Sequence, residues 1–232
     1  MALFETTNGV TQFRGLPVTI HRICIAGRIF EIAALEDAAA LLDDDVFVRE
    51  CEKTDRLPYG FELWPSALML AEHLCKSESG NERHAIELGC GVGLVSLVAA
   101  KMGWRVVVTD CDHVALQFAE YNAAANEVKV EAFRIFDWHH PCDNARYSLI
   151  LAADVLYQRS DHEAVMDCIA RILANDGSAI IADPSRGVAD AFPLMAQKKG
   201  FNVEIAPASA KLNHHPLVTG RLFILRPTRN LP

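Results

Sequence analysis

Two rhythms of apolar residues alternate along residues 84–226. One is a short unbroken run, as in Ala85, Ile86 and Leu88, in Val106, Val107 and Val108, and in YSLILAA at residues 147–153. Runs of that length suit strands buried on both faces. The other rhythm returns every three or four residues and predicts helices. Residues 94–102 carry it and stop at Gly103, as a helix commonly stops before a glycine. Residues 112–126 carry it with Val114, Ala115, Phe118 and Ala119 inward. A helix starting near Asp161 turns Val165, Cys168, Ile169 and Ile172 inward and ends at Asn175-Asp176-Gly177. Another spans about residues 188–199. The remaining strands are predicted at residues 128–135, 178–182, 201–205 and 221–225. Strands alternating with helices in this way predict an α/β fold with a mostly parallel sheet.

Upstream the pattern weakens. Residues 1–16 are polar and mixed and predict a loose terminus. Val18-Thr19-Ile20-His21 and Arg28-Ile29-Phe30-Glu31-Ile32 alternate around Ala26-Gly27, which predicts a β-hairpin. A short acidic helix is expected over residues 36–42 and a charged surface loop over 43–58. A helix then opens at Trp64-Pro65-Ser66 and runs to about Cys75, burying Ala67, Leu68, Leu70, Ala71 and Leu74. Residues 1–56 lack a core of their own. They are expected as an extension packed on a main domain at 57–232.

Composition narrows the function classes. With 232 residues and 51% hydrophobic side chains, the chain suits one domain of the larger sort. A net charge of -8 disfavours a general nucleic-acid binder held by phosphate neutralisation. No apolar run approaches a membrane span, and MALFETTNG lacks the shape of a signal peptide. The seven cysteines stand singly, without a C-x-x-C. That predicts a reducing, cytoplasmic setting and neither a disulfide frame nor a zinc site. His139-His140, with Cys142 nearby, does not have a metal-ligand spacing, so no metal is expected.

The candidate chemistry begins at residues 84–112, which read as strand, glycine turn, helix, strand and acid. A dinucleotide fingerprint, G-x-G-x-x-G, would need a third glycine at Leu94. The chain has instead Glu87, then Gly89, Gly91 and Gly93, an E-x-G-x-G-x-G pattern that resembles motif I of class I S-adenosylmethionine methyltransferases. The turn lets backbone N–H groups and a helix N-terminus approach a ligand. Glu87 suits the cationic half of that cofactor. Asp110, ending the second strand, is placed for both ribose hydroxyls. Asp137 and Trp138, after the third strand, suit the adenine amino group and ring. Trp64 either staples its helix to the sheet or lies over the sulfonium. Asp154 follows the fourth strand, where ligands of open α/β sheets bind, beside the transferred methyl. Ala153, just before it, is counted with the cofactor contacts. Glu62 and Arg186 remain open between ligand and solvent.

From about residue 57 to 226 the chain resembles the family 16 methyltransferases, which include the electron-transfer-flavoprotein β-subunit and valosin-containing-protein lysine methyltransferases. ELWPSALMLAEHL, ELGCGVGLVSLVAA, Asp137-Trp138 and the D-x-x-Y segment Asp154-Val155-Leu156-Tyr157 carry the resemblance. It implies a seven-stranded Rossmann-like sheet with a reversed seventh strand. It implies S-adenosylmethionine as cofactor, S-adenosylhomocysteine as product, and a protein substrate presenting a lysine. It makes Asp154 the residue needed for activity, with Tyr157 beside it. The alternatives are N-methylation of a small amine and a SAM-binding scaffold without catalysis. Amino-methylation of DNA is disfavoured, because Asn-Pro-Pro-Tyr is absent at Asp154 to Tyr157.

Overall fold

A computed structural model describes residues 3–7, 10–43, 45, 47–49, 58–77, 79–141, 145–212 and 216–228. The chain opens as a four-stranded antiparallel meander: β1 (Glu5–Thr7), β2 (Val10–Phe13), β3 (Leu16–Ile25) and β4 (Arg28–Leu35). The hairpin falls where alternation predicts it, with Ala26 at φ 49° and Gly27 at φ 76°. Residues 3–7 and 10–16 are not loose, however. β1 pairs with β2 and β2 with β3. Phe4 and Phe13 meet Phe118 edge-on at 5.0 and 5.2 Å, and Phe61 stacks on Phe118 at 5.7 Å. Isolated aromatics in a polar stretch thus anchor it, a signal that periodicity does not register.

β4 docks on the main sheet's helix layer through two asparagines. Asn122 accepts from Ala33 N (2.8 Å) and donates to Ala33 O and Val92 O. One turn on, Asn126 accepts from Glu31 N and donates to Glu31 O. Side-chain amides therefore satisfy the free edge of β4 as a further strand would. The expected acidic helix is a 3-10 segment, Ala38–Asp43. Most of the expected charged loop lies outside the described residues, although Phe47 is buried against Phe61.

The second sheet has seven strands: β5 (His84–Leu88), β6 (Arg105–Asp110), β7 (Ala132–Ile135), β8 (Tyr147–Ala153), β9 (Leu173–Asp183), β10 (Phe201–Ala210) and β11 (Val218–Pro227). Their spatial order is β10-β11-β9-β8-β5-β6-β7. β5 to β9 are mutually parallel, and β11 runs against both its neighbours, the reversed seventh strand. Ala85, Val106, Val108, Leu149, Leu151 and Ile180 face one core. Helices α1 (Pro65–Leu74), α2 (Leu94–Lys101) and α3 (His113–Ala125) cover it, as does the N-terminal meander. Ile86, Leu88, Val107, Ile150 and Ile181 face the other core, under α4 (His162–Ile172) and α5 (Phe192–Lys198). Covering both faces is what the unbroken apolar runs require.

Several boundaries differ from those that the sequence predicts. Val128 does not start β7. Its N–H donates to Ala123 O and that of Glu127, at φ 49°, to Ala124 O, the Schellman end of α3. β9 begins at Leu173, because Asn175-Asp176-Gly177 bulges out between the pairs Tyr147↔Leu173 and Leu149↔Ser178. β10 continues past Ile205 through Pro207, which an edge strand tolerates. The predicted helix at 188–199 is a 3-10 segment, Gly187–Ala191, followed by α5. His214 and His215 lie outside the described residues.

Candidate functional site

The chain winds outward from β5 to β7 and then returns to lay β8 on the other flank of β5. The connections leaving the carboxyl ends of β5 and β8 lead to helices on opposite faces there, which opens a ligand crevice in open α/β sheets. A cleft of about 1020 Å³ opens at that point. It has two halves.

The first half is built by β5, β6 and the turn between β5 and α2. Gly89, Gly91 and Gly93 have φ of 67°, 51° and 88°. A Cβ on Gly89 would stand 3.3 Å from Val155 Cγ1 and 3.4 Å from Trp138 Cζ3. One on Gly91 would stand 3.2 Å from Gly60 O. Gly93 differs: it does not line the cleft, and a Cβ there would meet Ala119 Cβ at 2.8 Å. It lets α2 and α3 pack closely.

Two buried acids hold this turn. Gly93 is the N-cap of α2 and has no side chain to offer. Glu87 supplies the missing acceptor, taking Ser96 N at 2.9 Å and Ser96 Oγ in a short bond. Burial pushes its carboxyl up to about 8. Asp110 accepts from Gly91 N (3.0 Å) on one oxygen and from Asp112 N (2.9 Å) on the other. It also takes a bond from the Cys111 side chain, and the residue lines the cleft. Burial raises its pKa too. Asp112 then caps α3 through Val114 N. Past β7, Asp137 accepts from His139 N (2.8 Å). Trp138 walls the cleft beside Gly89, and its Nε1 is buried with no partner among the described residues.

The second half is built by β8, β9 and the approach to α1. Ala153 and Asp154 line it. Asp154 has φ 58°, a left-handed conformation that strains a non-glycine residue by roughly 1 kcal/mol or more. Its carboxylate, 8% exposed, accepts from Arg186 Nε at 2.8 Å and more distantly from Ser66 Oγ at 3.5 Å. Arg186, which the sequence leaves open, therefore faces Asp154. Asp183 is buried at the end of β9 and accepts from Arg186 N and Arg221 Nε, both at 3.0 Å. Ser66, Asp183 and Arg221 escape the sequence reading. Asp183 and Arg221 end and begin predicted strands, but nothing in their spacing links them across 38 residues.

An aromatic mouth joins the halves. Trp64 is half-buried and lines the cleft rather than the core. Its Nε1 donates to Tyr59 O (2.7 Å), and its ring meets Tyr59 edge-on at 6.2 Å. Tyr59 meets Tyr157 likewise at 6.0 Å. Burial pushes the Tyr157 hydroxyl up to about 12, so it stays a donor at neutral pH. Glu62 accepts from Ala38 N (2.7 Å), tying the mouth to the N-terminal segment, and burial raises its pKa. His139 pairs with Asp161 at 3.6 Å. Among the described residues no cluster of His, Cys, Asp and Glu is arranged to hold a metal, and no helix is long and apolar enough to cross a membrane.

Comparison with known proteins gives a consistent picture. A family model described as lysine methyltransferase matches residues 44–198. Protein-lysine N-methyltransferase rrg1 of Schizosaccharomyces pombe is 32% identical over 143 residues, 55% of this chain and 47% of that protein. Protein N-lysine methyltransferase METTL21A of Mus musculus is 29% identical over 152 residues, 61% of this chain and 68% of that one. The chain spans about half the length of curated relatives such as rrg1. Among solved structures, the N-methyltransferase NodS from Bradyrhizobium japonicum, in complex with S-adenosyl-L-homocysteine, superposes with a TM-score of 0.55 at 17% identity, covering 83% of this chain and 93% of that one. At that identity the likeness concerns the fold.

Proposed function

We propose that this chain, which belongs to the lysine methyltransferase family, transfers a methyl group from S-adenosylmethionine to the side-chain amine of a lysine in a protein substrate. The observation that carries the reading is the division of one cleft into a half lined by Glu87, Asp110 and Trp138 and a half lined by Asp154 and Tyr157. The first half fits the cofactor. Asp110 turns its carboxylate into the cleft, where it would accept from the ribose hydroxyls, and Trp138 offers a flat wall and an indole N–H without a partner among the described residues. Asp137 would take the adenine amino group. Gly89 and Gly91 leave room for the amino acid half, with Ala153 at the border of the two halves and Trp64 beside its cationic end. Glu87 is already bonded to Ser96, so it acts mainly by holding the turn.

S-adenosylmethionine, which Asp110, Asp137, Trp138 and the glycine turn would hold, would supply a methyl carbon activated by positive sulfur to the neutral lysine nitrogen. The residues of the chain supply position and exclude water. Tyr59, Trp64 and Tyr157 wall the aliphatic stem of the lysine, and Asp154 orients its nitrogen. A lysine has an ordinary pKa of about 10.4, so on the order of one in a few thousand is neutral at pH 7. A net charge of -8 weighs against nucleic acid as the substrate. The seven cysteines stand singly along the sequence, without a C-x-x-C, which supports work in a reducing compartment such as the cytoplasm.

The test uses methyl-labelled S-adenosylmethionine, the purified chain, and lysate from its own source, beside an Asp154→Asn control. Label in a discrete protein, on lysine and absent from the control, is the expected result. Label confined to small molecules would replace the protein substrate with a metabolite amine. No transfer by a chain that binds the cofactor would support a scaffold instead.

A further inference from the structure

The Asp154–Arg186 pair poses a chemical problem. A lone carboxylate in the acceptor half would form an ion pair with an incoming lysine ammonium and stabilise it. The ammonium has no lone pair and cannot accept a methyl group. The carboxylate in this cleft is not alone. Arg186 Nε stands 2.8 Å from it, and no other cation is paired with Asp154 among the described residues.

Arg186 is held there from several sides. Its own N–H donates to Asp183 Oδ1, and its carbonyl accepts from Arg221 Nη2 at 2.9 Å. Arg221 also bonds Asp183 Oδ1 through Nε and Asp190 Oδ1 through Nη1 (2.7 Å). A Cβ on the neighbouring Gly220 would stand 2.6 Å from Asp183 O, so the backbone is packed tightly behind the pair. The backbone is strained at Asp154 and at the residue before Arg186. Asp154 has φ 58°, and Ser185, just before Arg186, has φ 62°. Strain of this kind persists only where the surroundings over-determine it. The charged and titratable groups around the pair are Asp183, Arg221 and Asp190 behind it, Tyr59 and Tyr157 in front, and Asp161 beyond Tyr157. The hydrogen bond to Asp154 raises the Arg186 pKa, so Arg186 is a permanent cation.

We infer that Arg186 is a specificity-determining residue: by cancelling the charge of Asp154 it makes the acceptor half admit the target amine in its neutral, nucleophilic form and not as ammonium. Asp154 keeps lone pairs with which to accept one amine N–H, and the nitrogen's own lone pair is left free. The inference rests on the function proposed above and names the form of substrate that the same site takes.

The probe is sinefungin, in which an amine-bearing carbon stands where S-adenosylmethionine has its methyl-bearing sulfur. S-adenosylhomocysteine lacks that amine and serves as the reference. The ratio of their affinities, measured by calorimetry at pH 7, reports how readily the acceptor half takes a cation. In Arg186→Gln the ratio should shift towards sinefungin by about tenfold, the value of roughly one pKa unit on its amine. Arg186→Lys should keep the wild-type ratio. In Asp154→Asn, where Arg186 is left alone, the ratio should shift against sinefungin by a similar factor. A purely structural role for Arg186 would change both affinities together and leave the ratio in place, which overturns the inference. If Arg186→Gln does not fold or loses S-adenosylhomocysteine, Asp154→Asn decides, and an unchanged ratio there overturns it as well. Failure of the wild-type chain to bind S-adenosylhomocysteine at all would defeat the proposed function itself, a distinct result from an unmoved ratio.

Discussion

The two halves of the cleft are built by different means. In the cofactor half the acids are held by the backbone. Asp110 takes the N–H groups of Gly91 and Asp112, and Glu87 takes that of Ser96. In the acceptor half guanidinium side chains from separate strands and loops take part, with Arg186 on Asp154, and Arg221 on Asp183 beside the Arg186 backbone N–H. Backbone donors come with a turn, and a turn has a sequence signature. Guanidinium donors come from wherever the fold brings them. The first half is therefore a local device and the second a tertiary one. The first turns an acid into the cleft, and the second presents an acid whose charge is already answered.

The largest expected effect lies in the second half. Asp154→Asn should lower labelled methyl transfer to the protein target by roughly a hundredfold or more, the scale of losing a preorganised polar group at a reacting centre. Transfer at the wild-type rate would remove the distinction between the halves.

Next in size is a pH effect confined to the first half. Glu87 has its carboxyl raised from 4.5 to about 8 by burial. The folded chain thus holds a proton that the unfolded chain has released between those values. Its contribution to stability is full below about 4.5 and is lost as pH rises through about 8. Urea melts of wild type should therefore weaken between pH 5 and 8 relative to Glu87→Gln, by on the order of a few kcal/mol at most. Parallel stability profiles for the two chains would show Glu87 ionised throughout.

The smallest effect concerns Trp138. Trp138→Phe removes an indole N–H that has no partner among the described residues, so thermal stability should hold or rise slightly. S-adenosylhomocysteine affinity should fall by less than about tenfold, the worth of one hydrogen bond. A large loss of stability instead would make the tryptophan a core residue.

The same contrast governs what the sequence makes legible. The β5-α2-β6 unit, Asp112 as the cap of α3, and the acids at the ends of consecutive strands can be read from spacing and element order. Each depends on contacts within a β-α-β unit or on the ends of consecutive strands. Trp64, by contrast, stays open between core and cleft until the fold places it at the mouth. Gly93 fits the pattern but serves packing against Ala119, because a motif does not separate cofactor room from helix room. The partners of Asp154 are unreadable for a different reason. Arg186 is 32 residues away, and only the parallel pairing of β8 with β9 puts the two side by side. The N-terminal strands escape because Phe4 and Phe13 are too few to make a period, although they seat the meander on Phe118. Val128 reads as a strand start because a buried valine after a helix also suits a Schellman end.

The most direct test of the two-part cleft is a calorimetric titration of S-adenosylhomocysteine into Asp110→Ala and Asp154→Asn side by side. The account predicts a roughly ten- to hundredfold weaker Kd for Asp110→Ala, the value of one or two charge-assisted hydrogen bonds, and a Kd close to wild type for Asp154→Asn. Unchanged affinity in Asp110→Ala, or an equal loss in both variants, would contradict it.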